Sequence, residues 1–243
     1  MRWTSWLPRP RPRRLSVMGL DVGPDVCSMV VLNGSPSEPD SLCCAERLDL
    51  PDGMVAHGEV LHSEAFGLWL KSFLEAGDYQ PELAYMGLSG VLVSNHLVTL
   101  ASGLSQADVA FQLQAEVQSL LPEQTPEVCI DFIPDSEPAP AGLQRYLVQA
   151  VPRPMVEALQ RVALAAGLFA KAVEPRGDAA QRVEQSHVFA QLPAASAALA
   201  LQCEEAFGLA LRAWHDHGAN FLPNPKDTQH ILRRAWLLGM TVC

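Results

Sequence analysis

Apolar positions along this chain fall into two alternating patterns. Short stretches in which apolar residues predominate, at 17–20, 27–32, 84–88, 91–101, 128–133, 145–151 and 169–173, read as strands. Between them lie stripes at helical spacing. Phe66, Trp69, Leu70 and Phe73 form one, with Ser63 placed to cap its start and Gly77 to end it. Val109, Leu113, Val117 and Leu120 form the second, after a capping-box-like Ser105 and Asp108 and before Pro122. Met155, Leu159, Val162 and Ala166 form the third, opened by Pro154 and closed by Gly167. The stretches "NGSPSEPDS" and "LPDGMVAHGEVL" carry turn chemistry. The predicted order is β β α β β α β β α β, an α/β (α+β) chain.

After Glu174 the character changes. Residues 178–207 contain no glycine and are rich in Ala, Gln and Leu, which reads as helical or loosely ordered with little to bury. A short helix is expected over 203–214, then a loop, "HDHGANFLPNPKD", and the start of a second apolar helix in "TQHILRRAWLLGMTVC", Thr228 to Cys243. Residues 1–16 read as an extended basic arm, because Pro and Arg alternate there. Trp3, Trp6 and the arginines suit an anionic membrane surface; a plain leader, with Met18 as the start, fits equally.

The net charge of −10, with five arginines in the first fourteen residues, argues against a nucleic-acid partner. Six scattered cysteines without a C-x-x-C spacing argue against zinc and for a reducing cytoplasm. No run of about 18 apolar residues makes a complete membrane span, and the N-terminus lacks the apolar core of a secretory signal.

Four segments carry a family likeness in serial order: "GLDVGPDVCSMVVL", "LPDGMVAHGEVLHSEAFGLWLKSFL", "LSQADVAFQLQAEVQSLLPEQTPEVCIDFIPD" and "RYLVQAVPRPMVEALQRVALAAGLFAKAVEP". Together they resemble the PilM family of type IV pilus assembly proteins, relatives of FtsA, over roughly residues 17–175. The resemblance implies an actin-like (ribonuclease H-like) first lobe with a small α/β subdomain inserted at about 56–166. It also implies a place on the cytoplasmic side of the inner membrane, beside a PilN-like membrane protein and other pilus assembly proteins of the kind that serve twitching motility and competence. The family's second lobe is largely missing: 176–206 reads as its remnant or a linker, and "AFGLALRAW" resembles the family's last helix. The end of the chain, "ANFLPNPKDTQHILRRAWLLGMTVC", resembles the start of PilN itself, with Asn-Phe-Leu-Pro, basic residues and then apolar ones.

Two candidate sites follow. Asp21, Gly23 and Ser28 are placed like a first phosphate loop, where a carboxylate holds a magnesium water and amides donate to ATP phosphates. Pro24 removes one such amide, and no second glycine turn is in view, so no cofactor and no catalysis are expected. Asn220, Phe221, Leu222 and Pro223 form the other candidate, a docking peptide held extended by its proline, which enters this chain's groove or a neighbour's; the plain alternative packs Phe221 near Trp214. Arg233 and Arg234 suit a membrane-proximal position or one side of an amphipathic helix. Glu116, Glu157 and Glu174 show no pairing that suggests acid–base chemistry, Ser89 lacks the frame of a nucleophile elbow, and His215 and His217 are spaced as surface residues rather than as a metal pair. The expected function is therefore that of a cytoplasmic adaptor acting by protein–protein contact. A nucleotide-switched actin-like ATPase, or a truncated product, are the alternatives.

Overall fold

In strand β2 (Val26–Gly34), Cys27, Met29 and Val31 enter one apolar cluster, and Val30 and Leu32 enter another. A strand buried on both faces needs a covering layer on each side, and that dictates the architecture. The computed structural model describes residues 14–185, 194–215 and 218–222. Pro223, Arg233, Arg234 and most of the basic arm lie outside the described residues.

The central sheet has five strands in the order β10-β6-β1-β2-β3. Strands β1 (Leu15–Val22), β2 and β3 (Pro39–Asp49) run antiparallel as a meander. Strands β6 (Leu83–Leu88) and β10 (Phe169–Pro175) join the other side of β1 in parallel. One face is covered by α1 (Ser63–Ala76) and α3 (Arg153–Ala165), which bury Phe66, Leu70, Val156, Leu159 and Val162. The other is covered by α4 (Arg176–Gln185), α5 (Ala194–Gln202) and α6 (Glu204–Leu211). A short hairpin of β4 (Val55–Ala56) and β5 (Glu59–Val60) precedes α1.

A second, three-stranded sheet has the order β7-β9-β8, from β7 (Ser94–Ala101), β8 (Val128–Pro134) and β9 (Leu143–Pro152). Helix α2 (Gln106–Leu120) closes one of its faces over Val98, Leu100, Val148 and Ala150. This subdomain occupies 94–152. The expected insertion, 56–166, also takes in α1, β6 and α3, which here belong to the central sheet and its cover.

Several elements differ from the sequence reading. Strand β3 is absent from it, because its burial pattern follows neither alternation nor a continuous apolar run. A 3-10 turn, Gly90–Leu92, takes the start of the strand expected at 91. Ser63 is the first helical residue of α1 rather than its cap; His62 holds that position without a side-chain bond. Ser105 does cap α2, accepting the Asp108 N–H at 3.2 Å. Leu120, expected on the buried stripe of α2, is exposed.

The largest correction concerns the region after Pro175, expected to have little to bury. Every residue of Ala206–Leu211 is buried. Helix α6 sits directly on β1, since a Cβ on Gly19 would lie 1.9 Å from the Ala206 carbonyl oxygen. Gly208 allows the same closeness to α4, where a Cβ would meet the Ala179 carbonyl oxygen at 1.9 Å. The two glycines bring backbone to backbone, so a short helix packs directly on the sheet and on α4.

Candidate functional site

The expected phosphate loop lies at the carboxyl end of β1. Asp21 is directly opposite Ser28 in the β1–β2 ladder, and the Gly23 N–H closes the connecting turn by donating to the Val26 carbonyl at 2.9 Å. That amide is therefore spent on the hairpin. Ser28 is half-buried, with Cys203 of the covering layer beside it. Asp21 is buried beside its ladder partner Gly87 and meets Arg176 of α4, whose Nη2 lies 3.0 Å from Oδ1. The approach is a contact of charges rather than an aligned hydrogen bond; the aligned bond of the same nitrogen goes to the Val22 carbonyl at 3.0 Å. Burial pushes the Asp21 carboxyl up to about 6, against the pull of Arg176. An internal arginine thus stands beside the carboxylate that the sequence reading offered to magnesium.

The docking-peptide candidate is brought into the structure far more fully. Strand β10 is an edge of the central sheet, and residues 219–222 lie along it. The Phe221 N–H donates to the Val173 carbonyl at 2.9 Å. The Asn220 side chain continues the pairing: its Oδ1 accepts the Val173 N–H at 3.2 Å and the Leu222 N–H at 3.1 Å, and its Nδ2 donates to the Lys171 carbonyl at 3.3 Å. The Asn220 N–H reaches across to the three-stranded sheet and donates to Asp131 Oδ2 at 2.6 Å. The segment therefore bridges the lobe and the inserted subdomain. Phe221, 2% exposed, joins the core cluster that holds Cys129 and Val151 of the subdomain with Val156, Leu168 and Val173 of the lobe. Ala219 and Leu222 pack on its margin. The alternative seat for Phe221 is thereby overturned, for Trp214 packs on the opposite sheet face and donates its indole N–H to the Ser35 carbonyl at 2.7 Å.

A buried ion triad anchors the approach to this segment. Glu174, fully buried on β10, accepts Arg182 of α4 through two bonds of 2.8 and 3.0 Å. Arg212, just past α6, also bonds Glu174, and its guanidinium donates onward to the carbonyls of Gly218 and Ala219. Gly218 adopts a φ of +111°, which a side chain opposes, and a Cβ there would come 3.0 Å from Arg182 Nη2. Burial raises the Asp131 carboxyl above the ordinary range, opposed by the Asn220 and Phe132 N–H groups.

Sequence reasoning did not find Asp131, Arg182 or Arg212, and it treated Glu174 as unpaired. One signal was present. Arg212 directly follows the apolar run "AFGLAL", and an arginine in a buried run requires a buried acid. Ser89 lines a small crevice with Val22, Gly58, Glu59 and Met155. Among the described residues no helix is long and apolar enough to cross a membrane.

No family model matches the chain, and no curated protein matches it in sequence. Among solved structures the fold is similar to that of a PilM-PilN type IV pilus biogenesis complex, with a TM-score of 0.59 and 20% identity, over 74% of this chain and 53% of that one. The chain thus spans about half the length of the structure it matches. A weaker likeness, TM-score 0.42 at 15% identity, is to the cytoplasmic domain of EpsL, an inner membrane component of the type II secretion system of Vibrio cholerae, over 68% of this chain and 58% of that one. The first likeness establishes an actin-like fold, as the sequence reading expected.

Proposed function

We propose that this chain is an adaptor on the cytoplasmic side of the inner membrane, in a type IV pilus or related secretion assembly, and that it works by holding an extended apolar peptide against β10 rather than by chemistry. The observation that carries this reading is Phe221, fully seated in the seam between lobe and subdomain while its backbone extends the sheet. Strand addition supplies main-chain bonds common to any extended peptide, and the buried aromatic supplies selectivity. The partner is a PilN-like membrane protein presenting Asn-Leu-Leu-Pro or a close relative, and the chain's own 219–222 occupies the groove until that partner arrives. Arg233 and Arg234 lie near the membrane in this arrangement.

The experiment adds a labelled peptide of residues 218–224 to the full-length protein and to full-length Phe221→Asp, in which the charge evicts the internal segment. Binding to the variant with little or none to the parent is expected. Absence of binding to both removes the groove as a docking site. The non-catalytic part of the reading is supported by the Asp21–Arg176 pair and by the Gly23 amide engaged in its hairpin. A melting temperature raised by Mg-ATP would contradict it, since a ligand of the folded state must stabilise that state.

A further inference from the structure

A sheet edge carries unpaired main-chain groups, and folded proteins guard such edges against other chains. The two larger sheets have four edges among the described residues, and three of them are guarded. Strand β3 is interrupted by two register irregularities and carries Asp40, Glu46, Arg47 and Asp49. Strand β10 is covered by residues 219–222. On β8 side chains meet three of the outward groups: Gln114 donates to the Val128 carbonyl at 2.7 Å, Gln118 accepts the Val128 N–H at 3.2 Å, and Asp131 accepts the Phe132 N–H at 2.8 Å.

The fourth edge, β7, is different. Its eight residues, "SNHLVTLA", include no Asp, Glu, Lys, Arg or Pro, and its register with β9 runs unbroken from Ser94 to Ala101. The Ser102 N–H donates to the Gly142 carbonyl at 2.9 Å, which extends the same ladder. By the alternation of antiparallel pairs, the even-numbered residues bond β9, and Asn95, Leu97, Thr99 and Ala101 turn their N–H and C=O groups away from it. All four of these residues are exposed, and among the described residues no side chain is bonded to those groups. Leu97 is 52% exposed and begins an in-register apolar row, Leu97–Leu147–Ile133, on the sheet face opposite α2.

We propose that β7 is a pairing edge whose occupant is β7 of a second copy of this chain, antiparallel about a twofold axis at Val98, so that two three-stranded sheets become one of six strands. The self-match is close. Outward Leu97 of one copy meets outward Thr99 of the other, twice, and Asn95 meets Ala101, twice, so all four outward residues of each copy exchange main-chain bonds. Val98 faces Val98 at the axis, and Leu97 is covered from the side it now exposes. Charge selects this edge among the four. Two copies each carrying −10 repel, and self-pairing of β3 would set its acidic side chains against one another, whereas β7 brings no charge to the axis.

The test is the mass of the full-length protein by light scattering and sedimentation over a dilution series, for the parent, Thr99→Pro and Leu97→Lys. The proline removes only an N–H that points away from β9, so the intrachain ladder stays whole. The lysine sets two like charges beside the axis. The parent is expected as a dimer that separates on dilution, and both variants as monomers with the parent's circular dichroism and melting temperature. Amides of Leu97 and Thr99 should be protected from exchange in the concentrated parent and unprotected when diluted, while β9 amides are protected in both. A parent that is monomeric throughout, or variants that dimerise as the parent does, overturns the proposal. If Thr99→Pro fails to fold, Leu97→Lys and the exchange pattern decide it.

Discussion

The side chain of Asn220 accepts the backbone N–H of Val173 while the backbone N–H of Phe221 returns to the carbonyl of Val173. One residue of an edge strand is thus bonded at both its groups by a segment about fifty positions later in the chain. Asn220 acts as a piece of strand, and Phe221 fills the seam behind it. This geometry sets the first expectation. Phe221→Ala should loosen the segment locally rather than unfold the protein. Emptying a buried phenylalanine site costs about 3–5 kcal/mol, so exchange of the Val173 and Phe221 amides should rise by about two orders of magnitude or more. Amides of β1 and β6 should keep their protection. Equal acceleration throughout the central sheet would show that the segment is part of the global folding unit.

Glu174 is a single buried carboxylate serving two buried arginines. Glu174→Gln should destabilise the protein by about 3–5 kcal/mol, because it strands both guanidinium groups in a dry site. Arg212→Met alone removes the bonds to Gly218 and Ala219 and should release residues 218–222. Combined, the two substitutions should cost clearly less than their sum, since the second removes a charge the first has orphaned. Urea denaturation of the four proteins completes the cycle.

Asp21 sets a pH dependence. Its carboxyl titrates near 6 when folded, against 3.8 ordinarily, with burial as the main cause. The folded state therefore holds a proton that the unfolded chain has released, and this contribution is whole below about pH 4 and lost as pH rises through about 6. Asp21→Asn lacks that loss. Relative to wild type it should gain up to about 3 kcal/mol between pH 4 and pH 7. Chemical denaturation at a series of pH values measures this, and parallel curves for the two proteins would contradict it.

Gly19→Ala tests the closeness of α6 to the central sheet. The added methyl would meet two backbone groups, the Ala206 carbonyl oxygen at 1.9 Å and the Ala210 nitrogen at 2.6 Å, neither of which can rotate aside. A loss at or above the upper end of the 1–3 kcal/mol typical of overpacking is expected, on the order of 3 kcal/mol. The urea midpoint should fall, and near-ultraviolet signals from Trp214 should change as the helix shifts.

The sequence by itself determined what rests on neighbours in the chain. The ends of α2 were legible in Ser105, Asp108 and Pro122, because a cap is satisfied within four residues. Strands β1, β2 and β6 were legible because strands buried on both faces read as apolar runs, and β10 because Gly167 sets it off from the helix before it. Phe221 and Leu222 stood out as apolar residues in a polar loop, fixed extended by the following proline. Tertiary structure alone decided the rest. Strand β3 has a mixed pattern, because an edge strand meets core on one stretch and solvent on the next. Helix α6 is too short to show a stripe, and only backbone contact through Gly19 and Gly208 reveals that all of Ala206–Leu211 is interior. The partners of Glu174 lie 8 and 38 positions away, and no local spacing joins them. Whether Asp21 faced a phosphate or an arginine was likewise unwritten in "LDVGPD". It depended on α4 starting where β10 ends, which places Arg176 over the carboxylate, and a charge in a closing core takes the nearest counter-charge the fold supplies.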